Sequence, residues 1–171
     1  MNPKLSIILL VAIICLSGCG TRPYTPTEYK LRDGVIPLLS VAGDTSIING
    51  LSETNKVRVY EFIGVNLTSN YKDITQLMVD QAKKELAKNT QTKTAGKPKT
   101  IEIQVTYLKS EYQMMWWKSE LRYTAVLGGS EKIEKVVRHG SGQVIQDLNG
   151  CIADAVVDLL KDIKVVAYLA E

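Results

Sequence analysis

The stretch TIEIQVTYL, residues 100–108, has the clearest alternation of apolar and polar residues in the chain. Successive side chains of a β-strand point to opposite faces of a sheet, so this alternation predicts a strand with one buried and one solvated face. The residues expected on the buried face are Ile101, Ile103, Val105 and Tyr107, and those expected on the other are Glu102, Gln104, Thr106 and Leu108. A sheet with one wet face is typical of antiparallel pairing.

The residues that follow continue the sheet. Residues 121–127 repeat the alternation, and Gly128-Gly129 predicts a tight hairpin turn. A third strand is expected from about Lys132 to His139. Its apolar residues alternate poorly, which favours a bulge or an edge position.

Helices flank these strands. Apolar residues at spacings of three and four predict a helix from Tyr71 to Asn89, with Asn70 as its cap, and another from about Asn149 to Lys164. An earlier strand is expected over Val57–Val65. Residues 35–41 contain a proline and suit an edge strand or strap, and residues 43–55 have the composition of a loop.

The order of elements is therefore expected to be β-α-β-β-β-α. Both helices carry one apolar stripe and the sheet has one apolar face. The predicted fold is α+β, a two-layer sandwich in which a mainly antiparallel sheet of about four strands carries two helices on one face. Residues 34–171 are expected to form this single domain.

The N-terminus is typical of an exported protein. Lys4 precedes an apolar run from Leu5 to Leu16, which is shorter than the roughly 20 apolar residues that span a bilayer. Residues 1–18 are therefore predicted to be a signal peptide. Leu16-Ser17-Gly18-Cys19 resembles the lipobox of bacterial lipoproteins, which implies that Cys19 is the first mature residue and carries the lipid.

Residues 19–33 contain Pro23 and Pro26 and are predicted to be a lipidated N-terminus and tether. Fully extended, such a tether would reach about 45–50 Å. Because Gly20, and not aspartate, follows the lipidated cysteine, the lipoprotein sorting rule implies the outer membrane, with the domain facing the periplasm.

Composition excludes some partners and chemistries. The chain has 21 basic and 18 acidic residues, interspersed along the sequence, so nucleic-acid binding is not expected. His139 is the only histidine, and Ser141 beside it lacks a nucleophile elbow. Cys151 has no second thiol at metal-ligand spacing and is interpreted as a small buried side chain. We therefore expect no catalytic residues, no metal site and no cofactor.

The stretch 112–117 contains both tryptophans and two of the four methionines, where two strands should join. Two interpretations remain open. Met114, Met115, Trp116 and Trp117 could fill the core. Alternatively, they could form an exposed hairpin tip that contacts a partner protein or a lipid headgroup layer.

Two sequences later in the chain, TIEIQVTYL with the aromatic hairpin and LNGCIADAV at 148–156, resemble the YajG-type family of small bacterial lipoproteins. The resemblance covers about residues 73–169, and the region before Val57 departs from it. It implies an envelope lipoprotein without a known active site.

Two functions are consistent with these features. The first is a membrane-anchored, non-enzymatic module that binds or assembles envelope proteins, with an envelope protein as its expected partner. The second is an auxiliary lipoprotein of a transporter that handles a lipid or small apolar solute, which would need an apolar cavity between sheet and helices.

Overall fold

The computed structural model describes residues 20–171, which form an α+β fold. The strands are β1 (Gly20–Pro23), β2 (Leu39–Ala42), β3 (Thr45–Asn49), β4 (Lys56–Phe62), β5 (Val65–Asn70), β6 (Thr90–Thr94), β7 (Lys99–Gln113), β8 (Trp116–Leu127) and β9 (Glu131–Ser141). The helices are α1 (Tyr71–Asn89), α2 (Val144–Lys161) and α3 (Ile163–Ala170).

The sheet is larger and more mixed than predicted. Seven strands form one sheet in the order β1-β5-β4-β7-β8-β9, with β3 beside the first part of β7. The β1–β5, β3–β7 and β4–β7 pairs are parallel, and β2 and β6 form a separate two-stranded sheet. The predicted sandwich of about four mainly antiparallel strands with two helices, in the order β-α-β-β-β-α, is therefore wrong.

The additional strands lie mostly in polar or short segments. The sequences of β1 (GTRP) and β6 (TQTKT) have no apolar face, and β3 lies in the segment predicted to be a loop. The predicted strand Val57–Val65 instead covers most of β4 and the first residue of β5, because the chain turns at Ile63-Gly64. Periodicity cannot find strands whose side chains do not alternate.

A β-bulge in β7 corrects the predicted faces of that strand. Val105 pairs with Tyr123 and Tyr107 pairs with Arg122, so Thr106 is an extra residue. Because one inserted residue reverses the side-chain alternation, Leu108 joins the buried face and Tyr107 moves to the other.

Helices α1 and α2 pack on the buried face of the sheet. The fully buried residues there come from both layers: Ile101, Ile103, Leu121, Met78, Leu148 and Ile152. At the bulge, the backbone N–H of Val105 donates to Oγ1 of Thr75 in α1, at 3.0 Å. The bulge thus fixes α1 on the sheet as well as redirecting β7.

Capping residues set where two of the helices begin. The prediction of α1 is confirmed, and Oδ1 of Asn70 accepts from the N–H of Asp73 at 2.8 Å. The predicted last helix, by contrast, begins earlier, at Val144, and stops before Asp162, whose extended backbone and side-chain acceptor start α3. Within residues 20–171, no helix has both the length and the apolar content to cross a bilayer.

The N-terminal segment is docked on the domain. β1 pairs with β5, and Tyr24 is buried. The Tyr24 hydroxyl donates to Oδ1 of Asn149 in α2 at 2.6 Å, and Nδ2 of Asn149 donates to Oγ1 of Thr27 at 2.8 Å. Two ion pairs follow, Lys84–Glu28 and Lys88–Asp33. The segment predicted as a tether therefore contacts β5, α1 and α2 over residues 20–33.

Replacing Asn149 should loosen this segment. Asn149→Ala removes its bonds to Tyr24 and Thr27 and leaves the buried tyrosine hydroxyl without its acceptor, so we expect a loss of about 2–3 kcal/mol in the free energy of unfolding. Hydrogen exchange of residues 24–33 should also accelerate. Gln146→Ala, at an exposed position of the same helix, is the control. Unchanged exchange in Asn149→Ala would contradict the assigned docking.

Candidate functional site

Cys19 and the predicted signal peptide lie outside the described residues, but the position of the next residue is defined. Gly20 opens β1, and its N–H donates to the carbonyl oxygen of Gly64 at 3.0 Å. Consecutive Cα atoms are about 3.8 Å apart. Gly20, which directly follows Cys19 in the sequence, therefore lies at the end of the sheet where β4 turns into β5.

Exposed apolar side chains gather at this end. The β4–β5 and β7–β8 hairpins both turn here, since β4 runs parallel to β7 with Tyr60 opposite Ser110. The most exposed side chains are Ile63 (80%), Met114 (91%), Met115 (78%) and Trp116 (59%). We define the apolar end as Phe62, Ile63, Tyr112, Met114, Met115, Trp116 and Trp117.

Both turns place large apolar residues at backbone positions with positive φ. Ile63-Gly64 and Met114-Met115 are two-residue turns with positive φ at each position, 43° and 75° in the first and 42° and 84° in the second. Such turns normally carry Asn-Gly or Gly-Gly, because an L side chain in this region costs roughly 1–2 kcal/mol. Among residues 20–171, no other non-glycine residue has positive φ.

At the opposite end of the sheet, the positive-φ positions of the turn are occupied by glycine. Between β8 and β9, Gly128 and Gly129 take the positive-φ positions, at 57° and 76°. The chain therefore uses glycine at one end and large apolar residues at the other. Residues that break a local conformational rule are expected at functional sites.

Aromatic contacts join the two hairpins. The ring centroids of Phe62 and Tyr112 are 4.7 Å apart, and those of Tyr112 and Trp117 are 5.1 Å apart. Nε1 of Trp117 donates to the hydroxyl of the buried Tyr60 at 3.2 Å. Trp117 is thus half-buried and packs on the core, whereas Met114, Met115 and Trp116 extend into solvent.

The structure brings Phe62 and Ile63 to the same place as the predicted stretch, and the sequence analysis missed both. A signal was present: two short alternating segments, 57–62 and 65–70, are separated by two residues, the second of which is glycine. That spacing is typical of a hairpin. The hairpin was not predicted because isoleucine is rare at the first position of such a turn.

A second cluster, of polar side chains, lies where α2 begins. Asp147 is fully buried, and its Oδ2 accepts from the hydroxyls of Ser110, at 2.6 Å, and Ser119. These serines are opposite each other on β7 and β8. The carboxylate therefore holds the first turn of α2 on the sheet.

His139 lies beside this cluster on β9. Its Nδ1 is 2.8 Å from Oδ2 of Asp154, and its ring packs directly on Gly150. The hydrogen bond with Asp154 raises the pKa of His139, while partial burial opposes the shift and the charge of Asp147 adds to it. Neither Ser110 nor Ser119 is hydrogen-bonded to the imidazole.

Cys151 is buried in the core of α2. Burial, reinforced by the nearby Asp147 and Asp154, raises the pKa of its thiol, so the sulfur remains protonated and is a poor nucleophile. Within the described part of the chain, no three His, Cys, Asp or Glu side chains converge as metal ligands would.

An open groove of about 400 Å³ lies between α1 and the strands β2 and β3. Its floor is apolar, with Val41, Ile47 and Leu86, and Lys83 and Lys93 are among its lining residues. Its volume lies within the range of small-ligand sites, which is about 300–1,000 Å³.

Relieving the turn should stabilise the domain. The double change Met114→Asn with Met115→Gly supplies residues suited to positive φ and removes little buried surface, so we expect a gain of about 1 kcal/mol in the free energy of unfolding. Urea denaturation followed by circular dichroism measures it.

The reciprocal change is the control for that experiment. A Cβ added at Gly129, where φ is 76°, would meet open space, so Gly129→Ala should lose about 1 kcal/mol through the backbone alone. If the double variant were no more stable than the wild type, the assigned strain at Met114-Met115 would be absent.

The raised pKa of His139 predicts a pH-dependent stability. A basic group with a raised pKa stabilises the fold fully below its unfolded value of about 6.5 and loses this contribution as pH rises through the folded value. The stability difference between the wild type and Asp154→Asn should therefore shrink as the pH rises above about 6.5. His139→Gln is the control, because glutamine does not titrate in this range. If the stability difference between the wild type and Asp154→Asn did not change with pH, a charged pair between His139 and Asp154 would be excluded.

The comparisons with known proteins identify the fold but no family. The crystal structure of protein XCC0632 from Xanthomonas campestris, described as DUF330, superposes with a TM-score of 0.54 and 12% sequence identity, over 86% of this chain and 95% of that one. No protein-family model and no curated protein sequence matches the chain. The chain thus has a fold found in a small bacterial DUF330 protein, and the resemblance to the YajG-type family stays a prediction.

Proposed function

We propose that the chain is a lipid-anchored, non-enzymatic lipoprotein of the bacterial envelope, which binds or assembles other envelope components. The observation that carries this proposal is Leu16-Ser17-Gly18-Cys19, preceded by a charged start and a short apolar run. In this proposal residues 1–18 are removed and Cys19 carries the acyl chains. Several buried chains give stable anchoring, since each buried methylene contributes about 0.8 kcal/mol.

The proposed location is the outer membrane, with the domain on the periplasmic side. Gly20 follows the lipid-bearing cysteine, where inner-membrane lipoproteins carry an aspartate. The resemblance of 100–108 and 148–156 to YajG-type lipoproteins supports the same assignment to the envelope.

The non-enzymatic part of the proposal rests on how the polar residues are used. Asp147, Asn149 and Asp154 each hold α2 to another element: the sheet, the N-terminal segment and β9. The thiol of the buried Cys151 packs in the core and donates to the carbonyl oxygen of Val137 at 3.7 Å. These groups have structural partners, whereas the side chains of Ile63, Met114, Met115 and Trp116 are largely exposed.

The groove between α1 and β2–β3 supports a second candidate, an auxiliary lipoprotein of a transporter that handles a lipid or small apolar solute. Its apolar floor suits a hydrocarbon chain, and its two lysines suit an anionic headgroup. The first proposal is preferred because the groove encloses a ligand only in part.

Cys19→Ala should abolish lipid attachment. We expect no incorporation of a labelled palmitate analogue, and release or mislocalisation of the protein, while circular dichroism shows a folded domain. Cys15→Ala, within the predicted signal peptide, is the matched control and should be labelled like the wild type. Labelling that survives in Cys19→Ala would refute the proposed anchor.

A further inference from the structure

We propose that the apolar end is a membrane-contact surface: Ile63, Met114, Met115 and Trp116 enter the headgroup layer of the leaflet that holds the acyl chains of Cys19. This inference rests on the proposed lipidation of Cys19. It identifies the ligand of the apolar end as a lipid surface, and it orients the long β7–β8 hairpin with its tip toward the membrane.

Position is the first argument. Gly20 is hydrogen-bonded to Gly64, the second residue of the turn that presents Ile63. The aromatic contact between Phe62 and Tyr112 places the second hairpin beside the first. Because Cys19 is one residue from Gly20, lipid on its sulfur brings the membrane surface to this end of the sheet.

Chemistry is the second argument. Over residues 62–65 and 112–117 the two tips have no charged side chain, and Glu61, Glu111 and Lys118 flank them. An apolar tip with a charged border suits a depth of about 5–10 Å, the boundary between headgroups and acyl chains. Tryptophan is enriched at this boundary, because its ring is apolar and its N–H is polar.

Conformation is the third argument. Asn-Gly would form either turn with less strain, yet the chain carries Ile63, Met114 and Met115 at positive φ. These side chains contribute little to the core, because each is at least 78% exposed. A contact outside the domain accounts for their presence.

Tryptophan fluorescence can test the contact directly, since Trp116 and Trp117 are the only tryptophans. The lipidated full-length protein is reconstituted into vesicles of phosphatidylethanolamine and phosphatidylglycerol that contain phosphatidylcholine brominated near the top of its acyl chains. Trp117→Phe leaves Trp116 as the probe, and Trp116→Phe leaves the half-buried Trp117.

We expect brominated lipid to quench Trp116 emission by about half or more, to quench Trp117 less, and to leave Trp116 shielded from aqueous acrylamide. In the Trp117→Phe background, Ile63→Asn with Met114→Asn and Met115→Gly should at least halve the quenching of Trp116. Ile163→Asn is the matched control, because Ile163 is 84% exposed and begins α3 beside the Lys164–Glu131 ion pair at the other end of the sheet. It should leave the quenching unchanged.

The outcomes separate this inference from the function on which it rests. Mass spectrometry that finds no lipid on Cys19 would refute the proposed function. Lipidated protein whose Trp116 is neither quenched nor shielded would overturn the membrane contact alone. Shielding from acrylamide without quenching by brominated lipid would also overturn it, because the apolar end would then be covered by a second copy of the chain.

Discussion

The fold depends on the pairing of β7 with β8, and on the bulge that interrupts it. The two strands pair from Ile101 and Leu127 at one end to Gln113 and Trp116 at the other. Without the extra Thr106, the second half of β7 would present the opposite set of side chains to the helices. Leu108 would leave the core, and Ser110 could not reach Asp147. The bulge therefore places Leu108 and Ser110 on the same face as the apolar first half of β7.

Polar contacts define the position of helix α2 on the sheet. Apolar contacts alone define the position of a helix along a sheet poorly, whereas the two hydrogen bonds that Oδ2 of Asp147 accepts can be made at one position only. Asp147 fixes the helix to β7 and β8, Asp154 to β9, and Asn149 to the N-terminal segment. A single helix thus determines where the first residues of the domain lie, and through them the place at which Gly20 meets the β4–β5 turn.

Some of this could be predicted from the sequence. The regular parts could: Asn70 and the stripe that follows specify α1, and the alternation at residues 100–105 specifies the start of β7. The mixed sheet could not, because β1, β3 and β6 are held by backbone pairing and carry few apolar side chains. Only one of the two hairpin tips at the apolar end could be predicted from the sequence. The composition of residues 112–117 indicates a contact surface, but their proximity to Ile63 depends on a parallel pairing between β4 and β7 that no local pattern encodes.

The docked N-terminal segment changes the physics of any contact made at the apolar end. A free tether of fourteen residues would let the domain explore a volume tens of ångströms across, and a weak surface would spend most of its time unbound. With β1 paired to β5, Cys19, the residue proposed to carry the lipid, directly precedes the first residue of β1. If Cys19 carries the lipid as proposed, the effective concentration of bilayer around Ile63 and Met114 is set by a linker of almost no length. An affinity too low to measure for the unlipidated domain would suffice to keep one face of the protein toward the membrane.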